Sequence, residues 1–293
     1  MDVLPSVPLP TFGGKQLWGD VFLYAGFRIQ QNVFTRHHRL LGPGDVRLAA
    51  GSYDHCHSRF ERLADQRAAV PQSDHWVLLL HGIFRSKDSF GPMTRALTAA
   101  GYEAHGVNYP STRQGLNDHA DQVELLLERA RDVSTVSFVT HSMGGIVARV
   151  LLGRPDRPWR KRIAVNRVVM IAVPNQGSEL ATRLDQVTPF RAVAGPSLPE
   201  LQPHRRDAIP VPDVPFGIVA GSRGDGQGYN PLLPGDDDMT VSVESTRLPG
   251  AEDFLEVRGI HTFVMVQPDV VEATVRYLRT GRFREVSETP GSG

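Results

Sequence analysis

Cysteine is almost absent from the sequence, since Cys56 is the single one among 293 residues. A lone cysteine cannot form a disulfide within the chain, which excludes a disulfide-stapled scaffold and favours a reducing compartment. An excess of one charge sign is absent too, because 32 basic residues balance 32 acidic ones. Nucleic acids and anionic membrane surfaces are therefore not expected as partners.

Long hydrophobic runs are missing as well. The longest early apolar stretch, residues 21–27, is far shorter than the roughly 20 apolar residues that span a bilayer. Residues 1–5 lack the basic region that begins a secretion signal. We therefore expect a cytoplasmic protein without stable membrane insertion, whose oligomeric state the sequence leaves open.

Apolar residues occur instead in short runs with strand or helix spacing. A continuous apolar run at 76–80 is typical of a parallel strand buried on both faces, and residues 102–107 alternate like a strand. Further strands are predicted at 136–139, 167–172, 216–220 and 253–257. Segments with helical spacing lie at 90–100, 116–131, 146–152 and 268–279. This alternation predicts an α/β fold with a mostly parallel central sheet and helices on both faces.

The first quarter of the chain has a different pattern. We expect residues 1–72 to form an N-terminal extension that packs on a catalytic domain at 73–284. Within the extension, residues 20–30 and 35–41 are predicted to pair as antiparallel strands, and residues 53–68 to form a helix.

Two further segments stand out by composition. The stretch 185–215 is rich in proline, and it is predicted either to cap the active site or to be a plain connector. Residues 285–293 are of low complexity, and we expect them to be a disordered tail.

A serine lies between a predicted strand and a predicted helix, in the sequence Thr-His-Ser-Met-Gly-Gly at 140–145. A serine raised at such a junction is a nucleophile elbow, whose tight turn needs small neighbours. Gly144 and Gly145 supply two of them, whereas Thr140 occupies a position that is usually glycine in the G-x-S-x-G pattern. We predict that Ser142 is a nucleophile.

A nucleophilic serine needs an imidazole to take its proton and a carboxylate to orient that imidazole. In hydrolases built on such a sheet, the acid follows a late strand and the histidine follows the last one. His261 meets this requirement, and the acid lies within three consecutive aspartates. Asp238 is favoured because its D-x-x-V-x-x-x-S spacing resembles the acid segment of many lipases. Asp237 is the second candidate, and Asp225 and Glu244 are weaker ones.

The oxyanion of the tetrahedral intermediate requires two backbone N–H donors. One comes from the residue after the nucleophile, Met143, and the other from the loop after an early strand, where we predict Ile83. Gly82 allows this loop to approach the reacting carbon. His81 is expected to be structural, with a hydrogen bond to the backbone.

These motifs, together with the segment at 173–178, resemble a bacterial α/β-hydrolase of the lipase and esterase type over residues 76–279. The relatives in question are triacylglycerol lipases and acyl-inositol deacylase-like hydrolases. The resemblance implies the α/β-hydrolase fold and cleavage of small-molecule or lipid esters through an acyl-enzyme on Ser142, without a cofactor or metal. In the P-H-x-G-S-like loop at 174–178, Asn175 occupies the position where histidine is common.

The sequence leaves several functions open. The same acyl-enzyme would serve an acyltransferase, and a catalytically silent hydrolase fold would serve binding alone. The sequence contains no evident lid helix, which favours soluble esters of short or medium acyl chains. Four aromatic residues are candidates to line an acyl pocket, namely Phe84, Phe90, Tyr109 and Phe190.

Overall fold

The first strands of the chain form an antiparallel sheet. The computed structural model describes residues 14–187, 191, 193–204 and 209–285. The strand order is β1-β2-β3-β4, and helix α1 covers one face of this sheet. The elements are β1 (Trp18–Tyr24), β2 (Phe27–Asn32), β3 (His38–Leu41), β4 (Arg47–Gly51) and α1 (Tyr53–Gln66). Helix α1 begins after Ser52, whose hydroxyl accepts the main-chain N–H of His55.

The N-terminal sheet has more strands than the sequence pattern suggested. The prediction of one strand at 20–30 was wrong, because Ala25 and Gly26 form a turn that divides this stretch between β1 and β2. Both residues have positive φ, as in the two-residue turns that match the twist of a hairpin. The continuous apolar run concealed a turn that has only one glycine.

The later strands form a parallel sheet, which confirms the predicted fold class. Among the described residues its order is β10-β9-β8-β7-β5-β6. The strands are β5 (His75–Leu80), β6 (Glu103–Val107), β7 (Thr135–His141), β8 (Ala164–Ile171), β9 (Phe216–Ser222) and β10 (Asp253–Arg258). The helices that follow α1 are α2 (Gly91–Ala99), α3 (Leu116–Glu128), α4 (Met143–Leu152), α5 (Glu179–Asp185), α6 (Ser197–Glu200), α7 (Val243–Thr246) and α8 (Pro268–Thr280).

The apolar run of β5 is continuous because both faces of the sheet are covered. Leu78 and Leu80 belong to an apolar cluster that includes α3 and α4. Val77 and Leu79 point the other way, into a cluster with α2 and α8. Successive side chains therefore enter two different cores, as expected for a parallel strand in a doubly covered sheet.

A buried aspartate joins the N-terminal sheet to the parallel sheet. Asp20 is fully buried, and its carboxylate accepts hydrogen bonds from Arg28, Gln30 and the main-chain N–H of Asn108, each at 2.7 Å. Burial raises the pKa of Asp20, and the Arg28 guanidinium partly opposes this. The main-chain N–H of Asp20 also donates to the Asn108 carbonyl, which ties β1 to the residue that follows β6.

The C-terminal tail, membrane spans and domain boundaries were also predicted from the sequence. Residues 286–293, most of the predicted tail, lie outside the described residues. In the part of the chain that the structure describes, no helix is long and apolar enough to cross a membrane. The boundaries proposed for the extension and the catalytic domain stay predictions.

Candidate active site

Ser142 lies in a strained turn between β7 and α4. Its φ of 54° and ψ of −129° are rarely adopted by residues other than glycine. The turn is held because the main-chain N–H of Ser142 donates to the Ile171 carbonyl at 3.0 Å. A Cβ on Gly144 would lie 2.0 Å from the Leu80 carbonyl oxygen, and one on Gly145 would lie 2.2 Å from a Val173 methyl group. The two glycines therefore allow α4 to begin directly against the sheet.

Thr140, which departs from the G-x-S-x-G pattern, is accommodated in the elbow with its hydroxyl hydrogen-bonded. The residue is fully buried, and Oγ1 donates to the Val169 carbonyl at 3.0 Å. Because the hydroxyl is paired with strand β8, its burial leaves no unsatisfied donor. The elbow therefore does not require glycine at this position.

Ser142 and His261 line the same cavity, which has a volume of about 360 Å³. One wall of the cavity is apolar and comes from α5, α6 and the residue after α6. The side chains of this wall are Leu180, Ala181, Leu184, Leu198 and Leu201. Part of the proline-rich stretch 185–215 thus contributes to the cavity wall.

His261 is held by Asp238. The imidazole Nδ1 donates to Asp238 Oδ2 at 2.7 Å, and the main-chain N–H of His261 donates to the Asp238 carbonyl, also at 2.7 Å. The second carboxylate oxygen of Asp238 accepts the main-chain N–H groups of Thr240 and Val241. The Asp238 side chain is 1% exposed and that of His261 is 12% exposed. The imidazole orientation is therefore fixed while its edge remains accessible from the cavity.

The two aspartates that precede Asp238 organise the surrounding loop. The Asp236 carboxylate accepts four consecutive main-chain N–H groups, those of residues 223–226. Burial opposes ionisation of Asp236, but these donors outweigh it and lower its pKa. Asp237 accepts the main-chain N–H groups of Asn230 and Met239. Of the three aspartates, Asp238 is the one hydrogen-bonded to His261.

The two weaker acid candidates form ion pairs elsewhere. Asp225 pairs with Arg223 at 2.9 Å, and Glu244 pairs with Arg247 at 3.2 Å. Neither side chain lines the cavity in the part of the chain that the structure describes. Both pairs are on partly exposed surface, where they contribute little to stability.

His141, the residue before Ser142, packs against His261. The ring centroids of His141 and His261 are 4.7 Å apart, and His141 Nε2 donates to the His261 carbonyl at 2.9 Å. Burial lowers the pKa of His141 well below its usual range, so this ring is neutral. Within the described residues no hydrogen bond joins Ser142 Oγ to His261. In free hydrolases this contact is often long and shortens when substrate binds.

The backbone around Gly82 approaches Ser142 closely. A Cβ on Gly82 would lie 3.0 Å from the Ser142 Cβ. Ile83 lines the cavity, and Met143 is the first residue of α4. Within the described ranges, the main-chain N–H groups of Ile83 and Met143 donate no hydrogen bond to the protein. Both amides are available to an oxyanion, and the start of a helix favours negative charge.

His81 supports this loop from beneath. Its Nδ1 donates to the Gly82 carbonyl at 2.9 Å, and its ring stacks on Tyr109 with centroids 4.1 Å apart. The Tyr109 hydroxyl donates to the His81 carbonyl. These contacts agree with the structural role expected for His81.

The predicted pocket aromatics do not all reach the cavity. Phe84 lines it, with a positive φ of 62° and 44% of its surface exposed. Tyr109 and Phe90 do not line it, because both are fully buried, Tyr109 against His81 and Phe90 in the core beneath α2. Phe190 lies outside the described residues.

The N-terminal segment contacts the loop that carries Ile83 and Arg85, a link that the sequence analysis did not predict. Gln16 Nε2 donates to the Arg85 carbonyl at 2.8 Å, and Gln16 Oε1 accepts from the Ser111 hydroxyl and the Thr112 main chain. One amide side chain thus connects two loops at the C-terminal edge of the sheet. No sequence motif lies near Gln16, so nothing in the sequence around it indicates these contacts.

The described part of the chain contains no group of three or more His, Cys, Asp or Glu side chains arranged to hold a metal ion. Cys56, flanked by two histidines in the sequence, is buried in the apolar cluster between α1 and the N-terminal sheet. The described residues that line the cavity carry hydroxyl and imidazole groups and one guanidinium, that of Arg85.

Buried histidines next to the site make stability depend on pH. Burial lowers the pKa of both His81 and His119 to about 4. In the unfolded chain histidine titrates near ~6.5, so the unfolded state binds more protons between ~4 and ~6.5. The stability that the two neutral histidines contribute is therefore fully present above pH ~6.5. It falls on acidification, by up to about 1.4 kcal/mol per pH unit for each histidine.

The prediction is tested by chemical denaturation across this pH window. In His81→Asn, the slope of the unfolding free energy against pH should decrease by the contribution of one buried histidine, because the variant lacks this imidazole. His55→Asn, on the exposed surface of α1, is the matched control and should keep the slope. An unchanged slope in His81→Asn would contradict the assignment.

The parallel sheet, with Ser142 directly after β7 and the loops of Asp238 and His261 after β9 and β10, is an α/β-hydrolase fold. A model of the family described as Domain of unknown function (DUF7379) matches residues 43–190, about half of the chain. The chain belongs to this family. A comparison with curated protein sequences gives no match.

Solved structures share the fold at low identity. The mature form of lipase BlEst2 from Bacillus licheniformis is 19% identical, with 69% of this chain and 91% of that chain covered and a TM-score of 0.58. The metagenomic carboxyl esterase MGS0156 is 19% identical, with 71% and 76% covered and a TM-score of 0.54. The lin2722 gene product of Listeria innocua is 16% identical, with 73% and 96% covered and a TM-score of 0.51.

Proposed function

We propose that this protein is a serine hydrolase that cleaves carboxylic esters through an acyl-enzyme on Ser142. One observation carries the proposal. The hydrogen-bonded pair of His261 and Asp238 lies at the same cavity as a serine held in an elbow conformation. Nucleophile, base and orienting carboxylate are the three groups that acyl transfer needs.

The proposed reaction begins with attack of Ser142 Oγ on the ester carbonyl carbon. His261 Nε2 takes the hydroxyl proton, while Asp238 accepts the Nδ1–H bond and so fixes the tautomer that leaves Nε2 basic. The amides of Ile83 and Met143 stabilise the oxyanion. His261 then gives this proton to the leaving alcohol. A water molecule, deprotonated by the same imidazole, attacks the carbonyl carbon of the acyl-enzyme, and His261 returns the proton to Ser142 Oγ as the carboxylic acid leaves.

The cavity supports esters with short or medium acyl chains. Its apolar wall suits a hydrocarbon chain, and its volume of about 360 Å³ is near the lower end of the range for small-molecule sites. Two of the structures with the same fold are named a lipase and a carboxyl esterase. The wall residues Leu198 and Leu201 favour the cap interpretation of 185–215 over a plain connector.

Hydrolysis of a series of 4-nitrophenyl esters, from acetate to laurate, tests the proposal. We expect the highest kcat/KM at a short or medium chain, because a longer acyl group exceeds the cavity. Product analysis with a competing alcohol distinguishes the acyltransferase alternative, since a transferase would yield a new ester instead of free acid. Absence of turnover across the whole series would contradict the proposed activity.

A further inference from the structure

One cationic side chain lines the catalytic cavity. Arg85 lies three residues after Gly82, in the loop that contributes Ile83 to the site, and it lines the cavity together with Ser142 and His261. The other described lining residues are apolar, hydroxyl-bearing, glycine or histidine. None of the described lining residues is a carboxylate, so the described part of the cavity wall supplies no negative charge to balance Arg85.

The guanidinium of Arg85 has no partner among the described residues beyond the cavity wall either. Across the described ranges it forms no ion pair or hydrogen bond with another side chain. The acid that follows it in the sequence, Asp88, pairs with Lys87 at 2.9 Å, and Lys87 also pairs with Asp45 at 2.6 Å. A half-buried cation without a partner lacks the compensation that such groups usually have.

The backbone that carries Arg85 is anchored. Its carbonyl accepts the Gln16 amide at 2.8 Å, and its N–H donates to the Gly82 carbonyl at 3.2 Å. The positive charge of Arg85 also acts on His141, the residue before Ser142. Burial is the main cause of the lowered pKa of His141, and Arg85 lowers it further. Arg85 is therefore a positioned cation at the site.

We propose that Arg85 binds an anionic group of the substrate, so that the preferred substrates are esters that also carry a carboxylate or a phosphate. The inference rests on the proposed ester hydrolysis. A planar guanidinium donates paired hydrogen bonds that match either anion. The apolar wall of α5 and α6 would hold the hydrocarbon part of the same molecule. An anionic amphiphile thus satisfies both surfaces of the cavity.

The test compares matched pairs of esters that differ in one negative charge. The first pair is mono-4-nitrophenyl glutarate and its methyl ester, which places a carboxylate on the acyl side. The second is a 1-acylglycerol 3-phosphate and the corresponding 1-acylglycerol, which places a phosphate on the alcohol side. The measured quantity is the ratio of kcat/KM for the anionic ester to that for the neutral ester, in the wild type, Arg85→Gln, Arg85→Lys and Arg62→Gln.

We expect Arg85→Gln to lower this ratio by about tenfold or more in at least one pair, the scale of a charge-assisted hydrogen bond. Arg85→Lys should restore part of it, because the positive charge is kept without the planar fork. Arg62→Gln removes the same charge from the exposed surface of α1 and should keep the wild-type ratio. The pair that responds identifies which anion is bound.

The two proposals fail in different ways. If the neutral esters are cleaved but Arg85→Gln keeps the wild-type ratio in both pairs, anion binding by Arg85 is overturned and ester hydrolysis stands. If none of the four esters is cleaved and a fluorophosphonate does not label Ser142, the proposed function itself is overturned. A ratio that falls equally in Arg62→Gln would also overturn the assignment, because the effect would then be one of net charge.

Discussion

Ser142→Ala is expected to reduce ester turnover by about 10⁴- to 10⁶-fold, the scale of losses measured for catalytic serines. Without the hydroxyl no acyl-enzyme can form, and only binding and oxyanion stabilisation remain. The fold should be unaffected. In the described residues Ser142 Oγ has no hydrogen-bond partner, so its removal leaves no buried group unpaired. Hydrolysis of a 4-nitrophenyl ester and the free energy of unfolding provide the two measurements.

Ser178→Ala is the matched control for this variant. Ser178 lines the same cavity, but its hydroxyl accepts the main-chain N–H of Ala181 at the start of α5. Its loss should cost about 1 kcal/mol of stability, as for other helix caps, and should leave fluorophosphonate labelling intact. Retained turnover in Ser142→Ala, or labelling at Ser178 in place of Ser142, would exclude Ser142 as the nucleophile.

The sequence predicted those features whose physical cause is local. The β5 run could be recognised because a strand buried on both faces has no polar positions. The elbow could be recognised because the packing of α4 against Leu80 and Val173 excludes any side chain at Gly144 and Gly145. In each case the constraint acts on neighbouring residues, so it leaves a pattern in the sequence.

Features that depend on distant contacts were not predictable in this way. Gln16 joins two loops that follow β5 and β6, a contact that spans at least 69 residues along the chain. Tyr109 was a candidate for the acyl pocket as an aromatic residue, yet its ring stacks on His81. A sequence gives the end of a strand, but it does not give the side of the loop on which an aromatic ring packs.

The choice among three consecutive aspartates shows the same limit. Each carboxylate accepts main-chain N–H groups of the loop, so all three are suited to their positions by the same local chemistry. What distinguishes Asp238 is its contact with His261, 23 residues further along. The spacing to Val241 and Ser245 favoured Asp238 by resemblance to lipases, and the physical reason becomes visible only in three dimensions.

Asp238→Asn is expected to lower kcat by about 10⁴-fold, as in the corresponding change of a serine protease triad. The amide oxygen can still accept the N–H groups of Thr240 and Val241, so the loop should keep its shape. The amide nitrogen would then face His261 Nδ1 and donate to it, which moves the imidazole proton to Nε2. A histidine in that tautomer cannot accept the Ser142 proton, so kcat falls while KM changes little.

Asp237→Asn is the matched comparison, because the adjacent carboxylate is equally buried and equally involved in the loop. Asp237 accepts the N–H groups of Asn230 and Met239 and has no contact with His261 among the described residues. We expect this variant to lose stability through weaker hydrogen bonds while its kcat stays within about tenfold of the wild type. If Asp237→Asn instead abolishes turnover and Asp238→Asn retains it, the carboxylate that orients His261 during catalysis is not the one bonded to it in the free protein. The loop would then have to rearrange on substrate binding.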